Sequence, residues 1–399
     1  MPADSRRNIA ILAFTLVVVM LGYGIILPIL PFYVQRLGAS GRDLGLLTSI
    51  SALMQLFFAP LWGSLSDRLG RKPVLLLGVL GYGLTMLLFG LSTRLWMLFV
   101  ARTLNGMLSS AALPTALAYI SDSTTAKERS GGMGQLGAAV GVGVVLGPGL
   151  GGALSARSLA TPFFVASGLC LGALLLVWLL LPESLPVSRR GVAAGARAAA
   201  PAEAWRALAG PLGMLLLLTF VVSFGLSAFQ GILGLYALQK FGFGPAQVGT
   251  IWMIVGGVLL AGQGLLTGWL SRRFGEVAVI RFSLLASAFG YALILLAATY
   301  LTVLLATGLF VLFIALLGPA LNALVSGQTP LQQGFTMGVA NSVASLGRIM
   351  GPIWSGSIFD INLSYPFLSG AIILFVAFLI SLLWIHLEAK PAAVMPAKS

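Results

Sequence analysis

The chain has 399 residues, 58% of them hydrophobic and only 8% charged, with a formal net charge of +13 and a mean hydropathy of +1.02. A water-facing surface needs roughly 25% charged residues, so a soluble globular protein is excluded and lipid is the solvent for most of the chain. A charge of +13 would suit nucleic acid, but the basic residues fall in short loops between apolar runs, which is a topology signal instead.

Twelve apolar runs near 20 residues follow in chain order: 10–33, 44–65, 74–93, 96–120, 131–154, 161–182, 211–238, 245–270, 279–298, 301–326, 336–358 and 365–387. Each is long enough to cross a bilayer core as a helix. The fold class predicted is an all-α membrane protein of 12 transmembrane helices. The first run follows "MPADSRRN" with no small-residue cleavage pattern behind it, so it reads as an uncleaved helix, not a removed signal peptide. With the N-terminus inside, sixteen of the 23 Lys and Arg lie in cytoplasmic segments and five outside. That imbalance predicts both termini in the cytoplasm. Residues 183–210, rich in Pro, Ala, Gly and Arg, read as a cytoplasmic linker, with an interfacial amphipathic helix as one option.

Two halves repeat across that linker. "GSLSDRLG" at 63–70 aligns with "GWLSRRFG" at 268–275, "QRLG" at 35–38 with "QKFG" at 239–242, and "GPGLGG" at 147–152 with "GPIWSG" at 351–356. The shift is nearly constant, which argues for duplication. The expected domains are a six-helix bundle at 1–182 and a second at 211–399, related by pseudo-two-fold symmetry, with a site between them near the midplane. The single Cys170 and single His386 exclude a disulfide framework, a cysteine metal site and a His cluster. There is no P-loop, GxGxxG unit or HExxH, so neither ATP-driven transport nor an enzyme is indicated, and no cofactor or metal is expected.

Three motifs carry physical weight. In "GSLSDRLGRK", Gly63 and Gly70 suit a tight loop after the second span, and Asp67 sits among Arg68, Arg71 and Lys72. Asp122, at the inner end of the fourth span, can join them. The cluster reads either as an ordinary basic loop or as an ion-pair latch on one conformation. In "GVGVVLGPGLGG", Gly143, Gly147 and Gly151 make one smooth helix face, next to Gly152, and Pro148 permits a bend. Close packing and a bending hinge are both open, and compatible. Lastly, Arg102 and Arg348 are cations inside apolar runs. Arg102 is near enough to its span end to snorkel. Arg348 is about ten residues, roughly 15 Å, from either end, where an ionised group is a functional-site hypothesis by default. The alternative is a guanidinium satisfied by carbonyls and by Asn341 or Ser345.

The segment at 63–72 resembles the signature loop of the major facilitator superfamily. The glycine run at 141–152 is similar to the motif of its 12-helix drug:proton antiporter branch, and "ARTLNG" at 101–106 to that branch's intramembrane arginine motif. "SFGLSAF" at 223–229 resembles the seventh helix of Gram-positive quinolone and multidrug efflux pumps. The resemblance runs along essentially the whole chain. It implies a monomer in a bacterial inner membrane that exports small amphiphiles by alternating access, with proton linkage. It also implies that Arg102 faces the cavity and that Gln55, Arg102 and Asn341 contact ligand or couple protons.

One departure matters. All ten acids fall in loops, tails or span ends. The resembling pumps usually carry a glutamate where this chain has Gln230, and an acid in helix 10, where it reads "VLFIALLGPALN". Neither a glutamine nor an arginine takes and releases protons near neutral pH. With two cations and no counter-acid in the spans, the pocket should prefer neutral, zwitterionic or anionic amphiphiles. Gln55, Asn105, Gln230, Asn322 and Asn341 are its expected polar groups, with Phe229, Tyr236 and Trp252 as apolar surface. Each amide is as readily an interhelical hydrogen bond. The rival function is a facilitator or exchanger for an anionic metabolite or lipid-like molecule, anchored by Arg102 and Arg348. A non-transporting scaffold fits the duplication and the latch motif poorly.

Overall fold

A computed structural model describes residues 3–186, 188, 211–328 and 333–384. Nearly all of the 183–210 segment, with its possible amphipathic helix, therefore lies outside the described residues. The rest is helical, with no strand among the described residues. The helices are α1 (Ala3–Arg36), α2 (Gly41–Leu69), α3 (Arg71–Leu91), α4 (Leu95–Ser109), α5 (Ala112–Ser123), α6 (Ala126–Leu154) and α7 (Thr161–Leu180). After the 183–210 segment come α8 (Pro211–Phe241), α9 (Pro245–Ala261), a π-turn (Gly262–Leu266), α10 (Thr267–Phe274), α11 (Glu276–Leu296), α12 (Tyr300–Gln328), α13 (Gln333–Phe359) and α14 (Tyr365–Trp384). Ten stretches among the described residues are long and apolar enough to cross a membrane, so the chain is a multi-pass membrane protein.

Two of the twelve apolar runs are not continuous α-helices. The run at 96–120 breaks between α4 and α5. Pro114 lacks the N–H that would bond to Ser110 and its ring crowds that carbonyl, while the Ser110 hydroxyl turns back to the Met107 carbonyl at 2.7 Å. The run at 245–270 passes through the π-turn, where the backbone N–H of Thr267 reaches the carbonyl of Gly262 and the Thr267 hydroxyl adds a second bond to it at 2.8 Å. The segment read as a loop at 63–72 is helix. Only Gly70, at φ 110°, separates α2 from α3. Gly63 lies within α2 with nothing near it, so its expected tight turn and close packing are not found.

Helix pairing repeats along the chain. Before the linker, α1 packs on α6, α3 on α7 and α2 on α4; after it, α8 packs on α13, α11 on α14 and α9 on α12. The boundaries repeat too. α3 runs from Arg71 to Leu91 and α11 from Glu276 to Leu296, a shift of 205 at both ends. The glycine face of α6 lies on α1: a Cβ on Gly147 would come 2.6 Å from the Leu21 carbonyl and 2.9 Å from the Gly24 Cα. Close packing is thus what this face does in the observed conformation.

Candidate functional site

The two parts of the chain meet along α2·α13 and α6·α9. At one end both crossings are too close for side chains. Gly45 abuts the Pro352 carbonyl and Gly356 the Gly41 carbonyl; Gly152 abuts the Pro245 carbonyl and Gly249 the Pro148 carbonyl. Asp360 finishes the seal. Its carboxylate accepts the backbone N–H groups of Gly41 at 2.7 Å and Arg42 at 2.9 Å, at the N-terminus of α2. That is a charge-assisted contact at the positive end of a helix dipole. Ser49 adds a 2.6 Å bond to the Ile349 carbonyl. Further along the same helices, Gly63, Gly131, Gly134, Gly334 and Gly338 have nothing within 4 Å of a built Cβ. The paired helices therefore splay like a V, closed at the Asp360 end and open at the other.

Within the V, Tyr23 of α1, Gln55 of α2, Tyr82 of α3, and Ser109 and Ser110 line a cavity of about 310 Å³. Arg102 lies behind it, 3% exposed. Its Nε donates to the Leu47 carbonyl at 3.2 Å, and its Nη1 is buried without a partner. It does not snorkel. It is tied to α2 through the Leu47 carbonyl, and the phenols of Tyr23 and Tyr82 are both within electrostatic reach. Asn105 is also buried, and its Nδ2 donates to the Thr85 hydroxyl at 3.1 Å. That is an interhelical bond from α4 to α3, and it leaves Asn105 off the cavity wall.

Arg348 comes to the site from the other side. One turn along α13, Pro352 sits between Gly45 of α2 and Gly231 of α8. Arg348 shares that face but lies past the seal, where α2 and α13 part, and it is exposed. Its Nη2 donates to the Ser345 hydroxyl at 2.7 Å, and it too lies within electrostatic reach of Tyr23. Tyr23 is thus within electrostatic reach of guanidiniums from both parts of the chain. Asn341, two turns from Arg348, is exposed on the same helix, and Gln230 is half-buried on α8. No carboxylate of the described residues lines this cavity.

Other expected members are elsewhere. Phe229 and Tyr236 are fully enclosed. Phe229 packs on Phe310 and Tyr291 at 4.8 and 6.1 Å, and Tyr236 on Phe367 at 4.3 Å, with its hydroxyl accepting from Lys240 at 2.7 Å. Trp252 is 3% exposed and joins this aromatic core. They pack α8 internally and supply no cavity surface. Asn322 is exposed on α12 and, like Arg348 and Asn341, is not among the residues lining the 310 Å³ cavity.

The acidic-basic cluster is assembled, but inside the first part of the chain. Arg71 pairs with Asp67 at 2.6 Å and Asp122 at 2.8 Å, and donates to Ser66 at 2.6 Å. Glu183, which drew no attention in the sequence, accepts the N–H groups of Arg71 and Lys72 at 2.9 and 3.2 Å and so caps α3. Lys72 Nζ reaches the Trp178 carbonyl at 2.7 Å, and Arg68 is exposed. Every one of these recorded contacts lies before residue 186. The cluster sits at the open end of the V and does not bridge it in this conformation.

The family model described as Major Facilitator Superfamily matches residues 12–276 and 215–397. Multidrug resistance protein 2 of Bacillus subtilis (strain 168) is 34% identical over 98% of each chain. Quinolone resistance protein NorA of Staphylococcus aureus (strain COL) is 29% identical over 90% of this chain and 92% of that one. Among solved structures, a bacterial homologue of the human lysosomal transporter Spinster, inward-facing and unoccupied, aligns with a TM-score of 0.82. It is 17% identical over 98% of this chain and 100% of that one.

Proposed function

This chain belongs to the Major Facilitator Superfamily, and we propose that it exports small amphiphilic compounds, multidrug fashion, by alternating access. The names of its relatives support that substrate class. The finer architecture is our reading as well: twelve spans, with α4 and α5 forming one and α9 to α10 another. They form two six-helix bundles, 1–182 and 211–399, joined by a cytoplasmic linker at 183–210. The repeated pairings and the constant shift support it. Both termini are cytoplasmic, as the Lys/Arg imbalance argues, and the chain works as a monomer in a bacterial inner membrane. The V is then open to the cytoplasm and sealed outside.

Substrate binds between Tyr23, Gln55, Asn341 and Arg348, with Arg102 behind the wall and Gln230 nearby. The observation that carries its chemistry is two guanidiniums, one from each part of the chain, within electrostatic reach of one phenol, with no carboxylate of the described residues on the lining. A cation entering this low-dielectric space gains no counter-charge, so neutral, zwitterionic and anionic amphiphiles are preferred. The same feature favours a second reading, an exchanger of an organic anion held by Arg348. Transport in proteoliposomes under an imposed pH gradient separates the two. Movement driven by the gradient supports proton-linked export; counterflow indifferent to pH supports exchange. Replacing Arg348→Gln removes one charge-assisted contact, so transport of an anionic amphiphile should fall about tenfold while a neutral analogue is unaffected. An unchanged profile, or a cationic dye carried as well as its anionic analogue, would overturn the charge argument.

Alternating access requires the Asp360 seal to break. Asp360→Ala deletes two charge-assisted hydrogen bonds, each about 1.5–3 kcal/mol. Cysteine introduced at Ser49, in a Cys170→Ser background, should then become accessible to an impermeant thiol reagent from outside. No gain in labelling would show that the seal rests on packing alone.

A further inference from the structure

A groove of about 540 Å³ lies on the flank of the molecule, between the π-turn with α10, α11 and α12. It runs along α10 from Leu266 to Phe274, about 12 Å of helix rise. Its walls are apolar except for Ser283, whose hydroxyl is buried without a partner. The matching place in the first part of the chain is built differently. There Trp62 spans from α2 to α4, its indole N–H donating to the Met107 carbonyl at 2.6 Å. The shift of 205 carries Trp62 to Thr267, Met107 to Leu312 and Gly78 to Ser283. Where the first part has the indole, the second has a threonine that folds onto its own π-turn and leaves the groove unbridged at that position.

Two cations lie close to the groove. Arg272 and Arg273 end α10, and both are exposed. The Arg273 guanidinium lies over the rings of Trp269 at 5.6 Å and Phe274 at 5.7 Å, and Phe274 is part of the groove wall. Among the described residues neither arginine forms an ion pair. An apolar trough about 12 Å long, with one guanidinium over its lining Phe274 ring and a second next to it in sequence, has the charge and shape of one occupant. We infer that it binds an anionic phospholipid, with an acyl chain along α10 and the phosphate on Arg272 and Arg273. Arginine is suited to phosphate, and each basic residue near an anionic lipid surface strengthens binding about fivefold.

The site can be read through Trp269. The full chain is reconstituted with phosphatidylglycerol or phosphatidylcholine bearing the same brominated acyl chains. The Trp269 share of fluorescence quenching is taken as the difference from a Trp269→Phe protein. Phosphatidylglycerol should half-quench Trp269 at a mole fraction at least about fivefold lower than phosphatidylcholine. Arg272→Gln with Arg273→Gln, both on the surface, should bring the two lipids within about twofold. Ser283→Phe, which fills the trough, should weaken quenching by both. Equal quenching by the two lipids in the parent protein overturns the inference. So does a phosphatidylglycerol preference that survives in the arginine double variant. The readout is independent of transport, so it stands or falls apart from the export reading.

Discussion

The centres of the two halves use the same helices for opposite purposes. In the first, α3 and α4 bring together Tyr82, Thr85, Arg102 and Asn105, all buried. The shift of 205 places Ser287, Gly290, Thr307 and Phe310 at the matching positions on α11 and α12. The hydrogen bond from Asn105 to Thr85 becomes a van der Waals contact. A Cβ on Gly290 would lie 2.8 Å from the Phe310 Cα, so the glycine is what lets that helix approach. Phe310 fills the space with its ring, 4.5 Å from Tyr291 and 4.8 Å from Phe229. One half buries charge and amides; the other buries rings. The helix pairings repeat, and the chemistry within them differs. The centre of the first half is therefore polar and that of the second aromatic.

The largest expected effect comes from emptying the aromatic centre. Phe310→Ala removes the ring on which Phe229 and Tyr291 rest, at a fully buried apolar site. The cost should be about 3–5 kcal/mol, seen as a clear drop in thermal unfolding temperature in detergent. A loss below about 1 kcal/mol would show that the cluster is loosely packed and not a rigid counterpart.

Arg102→Leu tests the polar centre and should have the opposite stability sign. The guanidinium is buried with one carbonyl acceptor recorded for Nε and none for Nη1. Replacing such an incompletely paired charge with an apolar group of similar volume is often neutral or stabilising by about 1–4 kcal/mol. The unfolding temperature should hold or rise while substrate export collapses. If both fall together, Arg102 is a structural tie to Leu47 and not part of the transport machinery.

What could be read from the chain beforehand divides along physical lines. Span lengths depend on local composition, so ten of the twelve run starts fall within three residues of a helix start, and the runs at 10–33 and 131–154 start further inside α1 and α6. The two intramembrane arginines stood out because charge in an apolar run needs no alignment to be seen. The break at 110–111 was also local, since Pro114 is visible in the sequence. Which face a residue takes was not legible. α8 is apolar on every side, so periodicity could not tell Phe229 and Tyr236, in the core, from Gln230, half out of it. Asp360 was missed because its partner Gly41 is 319 residues away. Tyr23 was missed because a tyrosine in an apolar run carries no charge to betray it. Its importance comes only from the two guanidiniums that the fold brings near.

The smallest effect sharpens the comparison most. Asn105→Leu with Thr85→Ala rebuilds, in the first half, the apolar contact that Phe310 and Gly290 make in the second. Removing both partners of one neutral hydrogen bond leaves no unsatisfied group, so stability should change by less than about 1 kcal/mol. Asn105→Leu alone strands little, because Thr85 Oγ1 also donates to the Tyr82 carbonyl at 2.8 Å. If the pair is only a helix tie, the double variant should export like the parent. If Asn105 holds Arg102 and Tyr82 in register behind the cavity wall, export should fall with no change in unfolding temperature. Restoring the amide through Asn105→Gln should then recover part of it. Equal behaviour of all three variants would make the polar and aromatic centres interchangeable, and the division of labour between the halves would rest on Arg102 alone.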